Sequence, residues 1–243
     1  MHMVSIVRLH RHSKQMSNNW AVIVSYWQFI NLHIGQMIKK YSVLAGVVIS
    51  LILMAIAISV YPGGTMYDET TVGFSWTKNF ISNLFGTRAL NGAENPAMIW
   101  AYSGMILFPC SYALFFIHMG KKLPEKNAGI ILKYGGLANV VFTFLTVTRY
   151  HDLMLIISTT LFWSGIVVIT VFILKTRLHL FKLVCIICLL FFYYGIYLWG
   201  TSNWDLLPII QKVNFLTSTL LILGLEYFTK PEDFAHIKTK KVH

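Results

Sequence analysis

The sequence predicts an all-α fold, a polytopic bundle of six transmembrane helices. Of the 243 residues, 56% are hydrophobic and only 12% are charged, and a soluble domain of this size does not bury so much apolar surface. Six apolar stretches of about 20 residues each, the length that crosses the hydrocarbon layer, are separated by short polar joints. A soluble enzyme and a nucleic-acid-binding domain are excluded, so we expect no nucleic-acid partner.

The predicted spans fill most of the chain. The first ends at the turn signal Pro62-Gly63-Gly64, and the second follows Asn95-Pro96. Only His151 and Asp152 separate the third span from the fourth, which predicts a tight antiparallel hairpin. Backbone groups in lipid must be satisfied within each segment, so each span is expected to be helical. The spans are residues 42–61, 97–119, 128–150, 153–174, 180–200 and 206–228, which form one membrane domain, residues 42–228, with a loop at 62–96.

Basic residues predict the orientation of this domain. The net charge is +11, and most of the lysines and arginines fall in joints on one side. By the positive-inside rule both termini are expected to be cytoplasmic. The predicted inner residues are Lys39, Lys40, Lys121, Lys122, Lys126, Lys175, Arg177, Lys182, Lys230, Lys238, Lys240 and Lys241, and the outer ones are Lys78, Arg88 and Arg149. The sequence contains no Asn-x-Ser/Thr sequon. This is compatible with the bacterial plasma membrane, which is the location that we expect. The expected partners are membrane lipids.

The segments that flank the membrane domain are basic. Residues 1–41 mix basic and apolar side chains without a clean span, which predicts an amphipathic helix on the membrane surface. Alternatively, the natural product starts at Met37, because Met37-Ile38-Lys39-Lys40 directly precedes an apolar span. Residues 229–243 are expected to form a basic cytoplasmic tail.

The loop at 62–96 has a pattern of its own. Between Phe74 and Gly86, apolar residues alternate with polar ones at roughly helical spacing, which predicts a short helix in the headgroup zone that ends at Gly86. We interpret this loop either as a lid across the mouth of the bundle or as a loop that grips a ligand.

Polar residues recur at helical spacing in the outer halves of three spans, where burial in lipid is costly unless they face one another or water. With polar residues of the joints they predict an extracytoplasmic pocket for a lipid headgroup or a small polar ligand. The alternative is that they make interhelical hydrogen bonds, each worth about 0.6 kcal/mol. The predicted ligand-binding residues are Asp68, Ser82, Asn139, Arg149, His151, Asp205, Gln211 and Asn214.

Three other interpretations are alternatives to a ligand-binding pocket. An intramembrane lipid hydrolase would use His151 as a base with Ser82 or Asp152. A metal site needs several converging ligands, whereas His151 is the only predicted outer histidine and His118 lies roughly a bilayer away; we therefore predict no metal and no cofactor. An assembly subunit would bind a membrane-protein partner through small residues, which are Gly135, Gly136, Ser164 and Gly165.

Three segments of the sequence form a recognisable set, and they are Asn79-Phe-Ile-Ser-Asn-Leu-Phe-Gly86, His151-Asp-Leu-Met-Leu-Ile-Ile-Ser-Thr-Thr-Leu-Phe-Trp163 and Ile210-Gln-Lys-Val213. Together they resemble an uncharacterised family of multi-span membrane proteins, domain of unknown function 998. The similarity extends from about residue 42 to 228. It highlights Ser82, Gly86, His151 and Gln211 and implies no established reaction. The chain departs from the family pattern by inserting Phe85 and by having Asn83 where an acidic residue is common.

Overall fold

The computed structural model describes residues 2–237, with side chains from residue 27 onward except that of Lys39. This part of the chain contains six α-helices, two short 3-10 helices and no β-strand. The α-helices are α1 (His2–Val60), α2 (Ala97–Lys122), α3 (Lys126–Leu145), α4 (His151–Leu174), α5 (His179–Gly200) and α6 (Leu207–Phe228). The 3-10 helices are Ile81–Phe85 and Pro231–Asp233.

The six-helix bundle predicted from the sequence is confirmed. Each of α2 to α6, and the part of α1 from Lys40 to Val60, is long and apolar enough to cross a membrane. The chain is therefore a multi-pass integral membrane protein whose surface contacts membrane lipids.

The chain divides into two compact units, Met1–Ser42 and Val43–His243. The first unit is helical, and its apolar side chains between Trp27 and Ile38 are exposed. The basic side chains expected there, Arg8, His10, Arg11 and His12, lie outside the described side chains, as does the tail from residue 238 onward.

The second unit contains a ring of helices. Helix α2 packs on α3, α3 on α4, α4 on α5, α5 on α6, and α6 again on α2. The part of α1 that belongs to this unit contacts α2, where Gly46 lies against Ser111, and α6, where the Leu44 amide donates to the Tyr227 hydroxyl.

Glycines allow three of these helices to approach closely. A Cβ at Gly136 in α3 would meet the Phe116 side chain at 3.0 Å, and one at Gly165 in α4 would meet it at 2.6 Å. The Phe116 ring of α2 therefore fills the space between α3 and α4. Around it an aromatic core continues through Tyr112, Phe162 and Trp163, all buried.

Helix α3 ends earlier than the sequence predicts, at Leu145 instead of Tyr150. The Thr146 hydroxyl donates to the carbonyl oxygen of Thr143, and the Thr148 hydroxyl donates to that of Leu145. Such local hydrogen bonds from threonine compete with helix continuation. The α3–α4 joint therefore comprises residues 146–150, and His151 begins α4.

Residues 61–96 form a folded cap at the end of the bundle where α1 and α3 end and α2 begins. We call this the cap end, and the opposite end, where Lys121 and Lys122 close α2, the basic end. Gly64 shows why glycine is needed in the cap: its φ is +85°, and a Cβ would meet the Asn91 amide nitrogen at 2.2 Å. The short helix predicted before Gly86 is present as Ile81–Phe85.

Candidate functional site

Three polar contacts attach the cap to α6 and to the joint before it. Lys78 Nζ lies 2.7 Å from Asp205 Oδ1. The Gln211 side-chain oxygen accepts from the Ile81 amide at 3.0 Å. Lys212 Nζ donates to the carbonyl oxygen of Asn79 at 2.6 Å and to that of Pro208, in the first turn of α6, at 2.9 Å. The cap segment 78–81 is thus fixed to the first two turns of α6 and to the joint before them.

Side-chain amides hold the cap together internally. Asn79 is fully buried, donates to the Gly64 carbonyl oxygen at 2.8 Å and accepts from the Ser75 amide. Asn95 donates to the carbonyl oxygens of Leu84 and Gly86 and accepts from the Ala97 amide at the start of α2. These bonds supply the backbone pairing that an irregular segment otherwise lacks.

Asn83 caps the 3-10 helix of the cap. Its side-chain oxygen accepts from the Phe80 amide at 2.7 Å, at the start of the 3-10 helix. An amide oxygen is sufficient for this contact, so a negative charge is not required.

Three groups in the cap have shifted pKa values. Hydrogen bonds from the Thr70 hydroxyl, and then from its backbone amide, hold the pKa of Asp68 below its ordinary value. The hydrogen bond to Asp205 raises the pKa of Lys78. Burial raises the pKa of Tyr61, although the Leu90 amide that donates to its oxygen acts in the opposite direction. The hydrogen bonds favour the charged forms of Asp68 and Lys78, and burial favours the neutral form of Tyr61, so all three groups keep their neutral-pH protonation states in the folded cap.

A second polar group lies at the cap end of α3 and α4. His151 Nδ1 is 2.6 Å from the carbonyl oxygen of Thr146. A carbonyl oxygen only accepts, so Nδ1 carries the proton, and Nε2 of a neutral His151 is an acceptor. Arg149 is exposed; its guanidinium donates to the Tyr150 hydroxyl and lies over that ring.

Asn139 and Ser158 lie about two helical turns deeper on the same two helices. Each is seven residues from the Thr146–His151 contact, which corresponds to about 10 Å along a helix. Both residues are buried. Ser158 donates to the Leu155 carbonyl oxygen, but Asn139 Oδ1 has no hydrogen-bond partner among the residues that the structure describes.

An aromatic layer bounds this region toward the basic end. Gly136, one turn before Asn139, and Gly165, two turns beyond Ser158, both contact Phe116. The Tyr112 and Phe162 rings stack with centroids 5.2 Å apart. The polar side chains of α3 and α4 therefore lie between the cap end and a packed aromatic floor.

The structure separates the predicted ligand-binding residues into distinct groups. Asp205 and Gln211 bind the cap, and Asp68 makes local bonds at the exposed tip of the cap. Asn214 contacts α5: its nitrogen donates to the Phe191 carbonyl oxygen at 3.2 Å, while its Oδ1 is buried without a partner. Asn139, Arg149 and His151 belong to α3, α4 and their joint.

The residues proposed for lipid hydrolysis are not joined. Within the described part of the chain, no hydrogen bond connects His151 with Ser82 or Asp152, and Asp152 is exposed. The described residues also contain no group of three or more His, Cys, Asp or Glu side chains placed to hold a metal ion.

Lys212 is the functional residue that the sequence interpretation missed. The available signal was a single lysine in the second turn of an apolar span, a position where a charge is costly and needs a partner. Its ammonium also lies 5.5 Å from the centroid of the Phe74 ring. Since its partners Asn79 and Phe74 come from a loop more than a hundred residues earlier, the local pattern did not indicate its role.

A buried ionic cluster joins α2 and α6 at the basic end. Glu226 is only 7% exposed; its Oε1 lies 2.6 Å from His118 Nδ1 and its Oε2 4.0 Å from Lys122 Nζ. Lys122 also donates to the carbonyl oxygens of Leu225 and Glu226 at the end of α6.

The small residues proposed to contact a protein partner lie in two environments. Gly136 and Gly165 pack inside the bundle, while Ser164 is exposed.

Comparisons with known proteins return no relative. No family model, curated protein or solved structure matches this chain. The resemblance to domain of unknown function 998 therefore stays a prediction, and the functional argument rests on the geometry of the chain itself.

Proposed function

We propose that this multi-pass membrane protein binds, at the cap end of α3 and α4, a polar group that carries hydrogen-bond donors, on a lipid headgroup or on a small polar ligand. The observation that supports this proposal is the buried, unpaired Oδ1 of Asn139. A buried polar atom without a partner costs free energy in an apolar medium. A bound donor removes that penalty.

The chemistry of the neighbouring groups favours a donor-bearing ligand. Ser158 uses its proton on the Leu155 carbonyl oxygen, so its free lone pairs accept. Neutral His151 uses its Nδ1 proton on Thr146, so its Nε2 also accepts. Hydroxyl and ammonium groups donate to acceptors of this kind, whereas a bare carbonyl or a quaternary ammonium does not.

Arg149 extends the proposed site toward the membrane surface. Its exposed guanidinium lies in the joint above His151 and retains N–H groups beyond the one that binds Tyr150. Guanidinium groups pair well with phosphate. A phospholipid with an amine in its headgroup therefore combines both features that the site recognises.

The distribution of basic residues supports an orientation in which the cap end faces outward and both termini are cytoplasmic, with the bacterial plasma membrane as the location. The ligand then comes from the outer leaflet or from the extracytoplasmic fluid.

Native mass spectrometry of the purified protein tests the proposal. Phosphatidylethanolamine has N–H donors and phosphatidylcholine lacks them, so we expect preferential retention of the first. Free ethanolamine, as a third probe, distinguishes a small ligand from a lipid. Asn139→Leu should weaken binding by about fivefold to tenfold, the equivalent of one buried hydrogen bond.

Asn214→Leu is the matched control, because it removes the other unpaired amide oxygen, at the α5–α6 contact. It should leave lipid retention unchanged. Equal retention of the two lipids together with no effect of Asn139→Leu would refute the proposed site.

A further inference from the structure

The cap exposes aromatic and apolar side chains, although it is a polar segment outside the spans. Tyr67 is 56% exposed and Trp76 is 61% exposed. Met66 and Val72 are exposed beside them in sequence. None of these residues contributes to the contacts that attach the cap to α6.

Lys78 links one of these rings, Tyr67, to the α5–α6 joint. Its ammonium lies 5.2 Å from the centroid of the Tyr67 ring and forms the ion pair with Asp205. Trp204, the residue before Asp205, contacts Phe80 with ring centroids 6.5 Å apart and is partly exposed. We call Tyr67, Trp76, Lys78 and Trp204 the Lys78 corner.

The attachment of the cap fixes the depth of this corner. The cap amide of Ile81 and the cap carbonyl of Asn79 bind Gln211 and Lys212, which lie in the second turn of α6. At 1.5 Å per residue, this is about 6 Å inside the end of a membrane-spanning helix. The segment just before Asn79 therefore lies near the membrane boundary and not far above it.

Aromatic side chains of α5 mark the same boundary. Tyr197 and Trp199, in its last turn, are both more than half exposed. Tryptophan and tyrosine concentrate at membrane interfaces, where the ring is apolar and the N–H or O–H group meets the headgroups. The Lys78 corner is connected to the joint that follows this turn, through the ion pair between Lys78 and Asp205.

We propose that the Lys78 corner is an interfacial anchor that inserts into the headgroup layer of the leaflet at the cap end. The occupant of this surface is lipid, because the corner is tied to the joint that follows the exposed aromatic end of α5 and combines aromatic rings with an ammonium group. The anchor is independent of the proposed polar site on α3 and α4.

Spin labels at single cysteines test this proposal in lipid nanodiscs. Tyr67→Cys and Trp76→Cys place labels on the corner, and Glu69→Cys places one at the exposed polar tip of the same loop. Cys110→Ala removes the exposed native thiol, while Cys185 and Cys188 are buried. We expect frequent collisions with oxygen and a loss of collisions with a water-soluble nickel chelate at 67 and 76, and the reverse at 69.

Nickel collisions at 67 and 76 as frequent as those at 69 would overturn the anchor. Labels shielded from both reagents would also overturn it, since a protein partner or a second copy would then cover the corner. A photoactivatable phospholipid with its reactive group near the headgroup tests the unsubstituted protein. Cross-links at Tyr67 or Trp76 support the anchor, and their absence, while α5 is labelled, contradicts it.

Discussion

Lys212 in α6 donates a 2.6 Å hydrogen bond to the carbonyl oxygen of Asn79 in the cap. Asn79 is itself fully buried and bonded to Gly64. One side chain of a spanning helix therefore connects to the interior of the cap, and the loss of that side chain should loosen the cap as a unit.

Lys212→Met should open the cap without unfolding the bundle. Hydrogen bonds to charged groups contribute about 1.5–3 kcal/mol, and about 1.4 kcal/mol corresponds to a tenfold change in an equilibrium. We expect trypsin cleavage within residues 61–96, at Lys78 or Arg88, to accelerate about tenfold in nanodiscs. Lys133→Met is the control, since that lysine is exposed and its ammonium lies over the neighbouring Tyr134 ring. Equal cleavage rates of both variants would show that Lys212 does not hold the cap.

Lys122→Met should destabilise the contact between α2 and α6 at the basic end. The substitution removes the ammonium that lies 4.0 Å from the buried Glu226 carboxylate, which keeps its contact with His118, and breaking a buried pair costs about 3–5 kcal/mol. Reversible unfolding in mixed micelles measures this loss. Adding Glu226→Gln should recover part of the lost stability, because it removes the carboxylate charge that Lys122 no longer balances. Lys121→Met, at the exposed neighbouring position, should have little effect; a loss as large as that of Lys122→Met would contradict a specific role.

Gly165→Ala should destabilise the bundle by about 1–3 kcal/mol, because the new methyl group overlaps the Phe116 ring. Phe116→Leu in the same chain should recover part of the loss. Gly135→Ala is the matched control, since a Cβ there meets nothing within 4 Å. It should stabilise α3 by about 0.5–1 kcal/mol through its helix propensity. The same unfolding assay measures the change in stability of each variant. Equal changes for the two substitutions would argue against the Phe116 contact.

The cap should be most stable between about pH 4 and pH 10. The folded-state pKa of Asp68 is lowered, so its contribution is present above the unfolded value and is lost as the pH falls through the folded value. The pKa values of Lys78 and Tyr61 are raised, so their contributions are present below the unfolded values and are lost as the pH rises through the folded ones. The mobility of a spin label at Glu69→Cys should increase at both extremes.

Asp68→Asn is the control for the increase in label mobility at acidic pH. An amide does not titrate, so this variant should lose most of the acid-induced increase in mobility while keeping the alkaline one. If the label mobility of this variant still increased at acidic pH, another titrating group would be responsible for that increase.

Some features of the site follow from local sequence and others do not. The cap helix and its end at Gly86 were predicted from the spacing of Phe74 to Phe85, although the observed helix is shorter, Ile81–Phe85. The end of α3 was predicted five residues too late, because the threonine hydroxyls that bond to Thr143 and Leu145 are not visible in hydropathy. A pairing of Glu226 with His118 depends on how α2 meets α6, which no local pattern contains.

The sequence by itself determined that six apolar segments cross the membrane as helices, since lipid offers no partners for backbone groups and each segment must satisfy its own. It also showed which residues are polar within those segments. Only the tertiary structure decided which of them meet: Gln211 and Lys212 bind the cap, Asn214 faces α5, and Asn139 stays unpaired above the aromatic floor. The physical reason is that a side-chain hydrogen bond requires atoms within about 3 Å, and helix packing sets those distances between residues far apart in the chain.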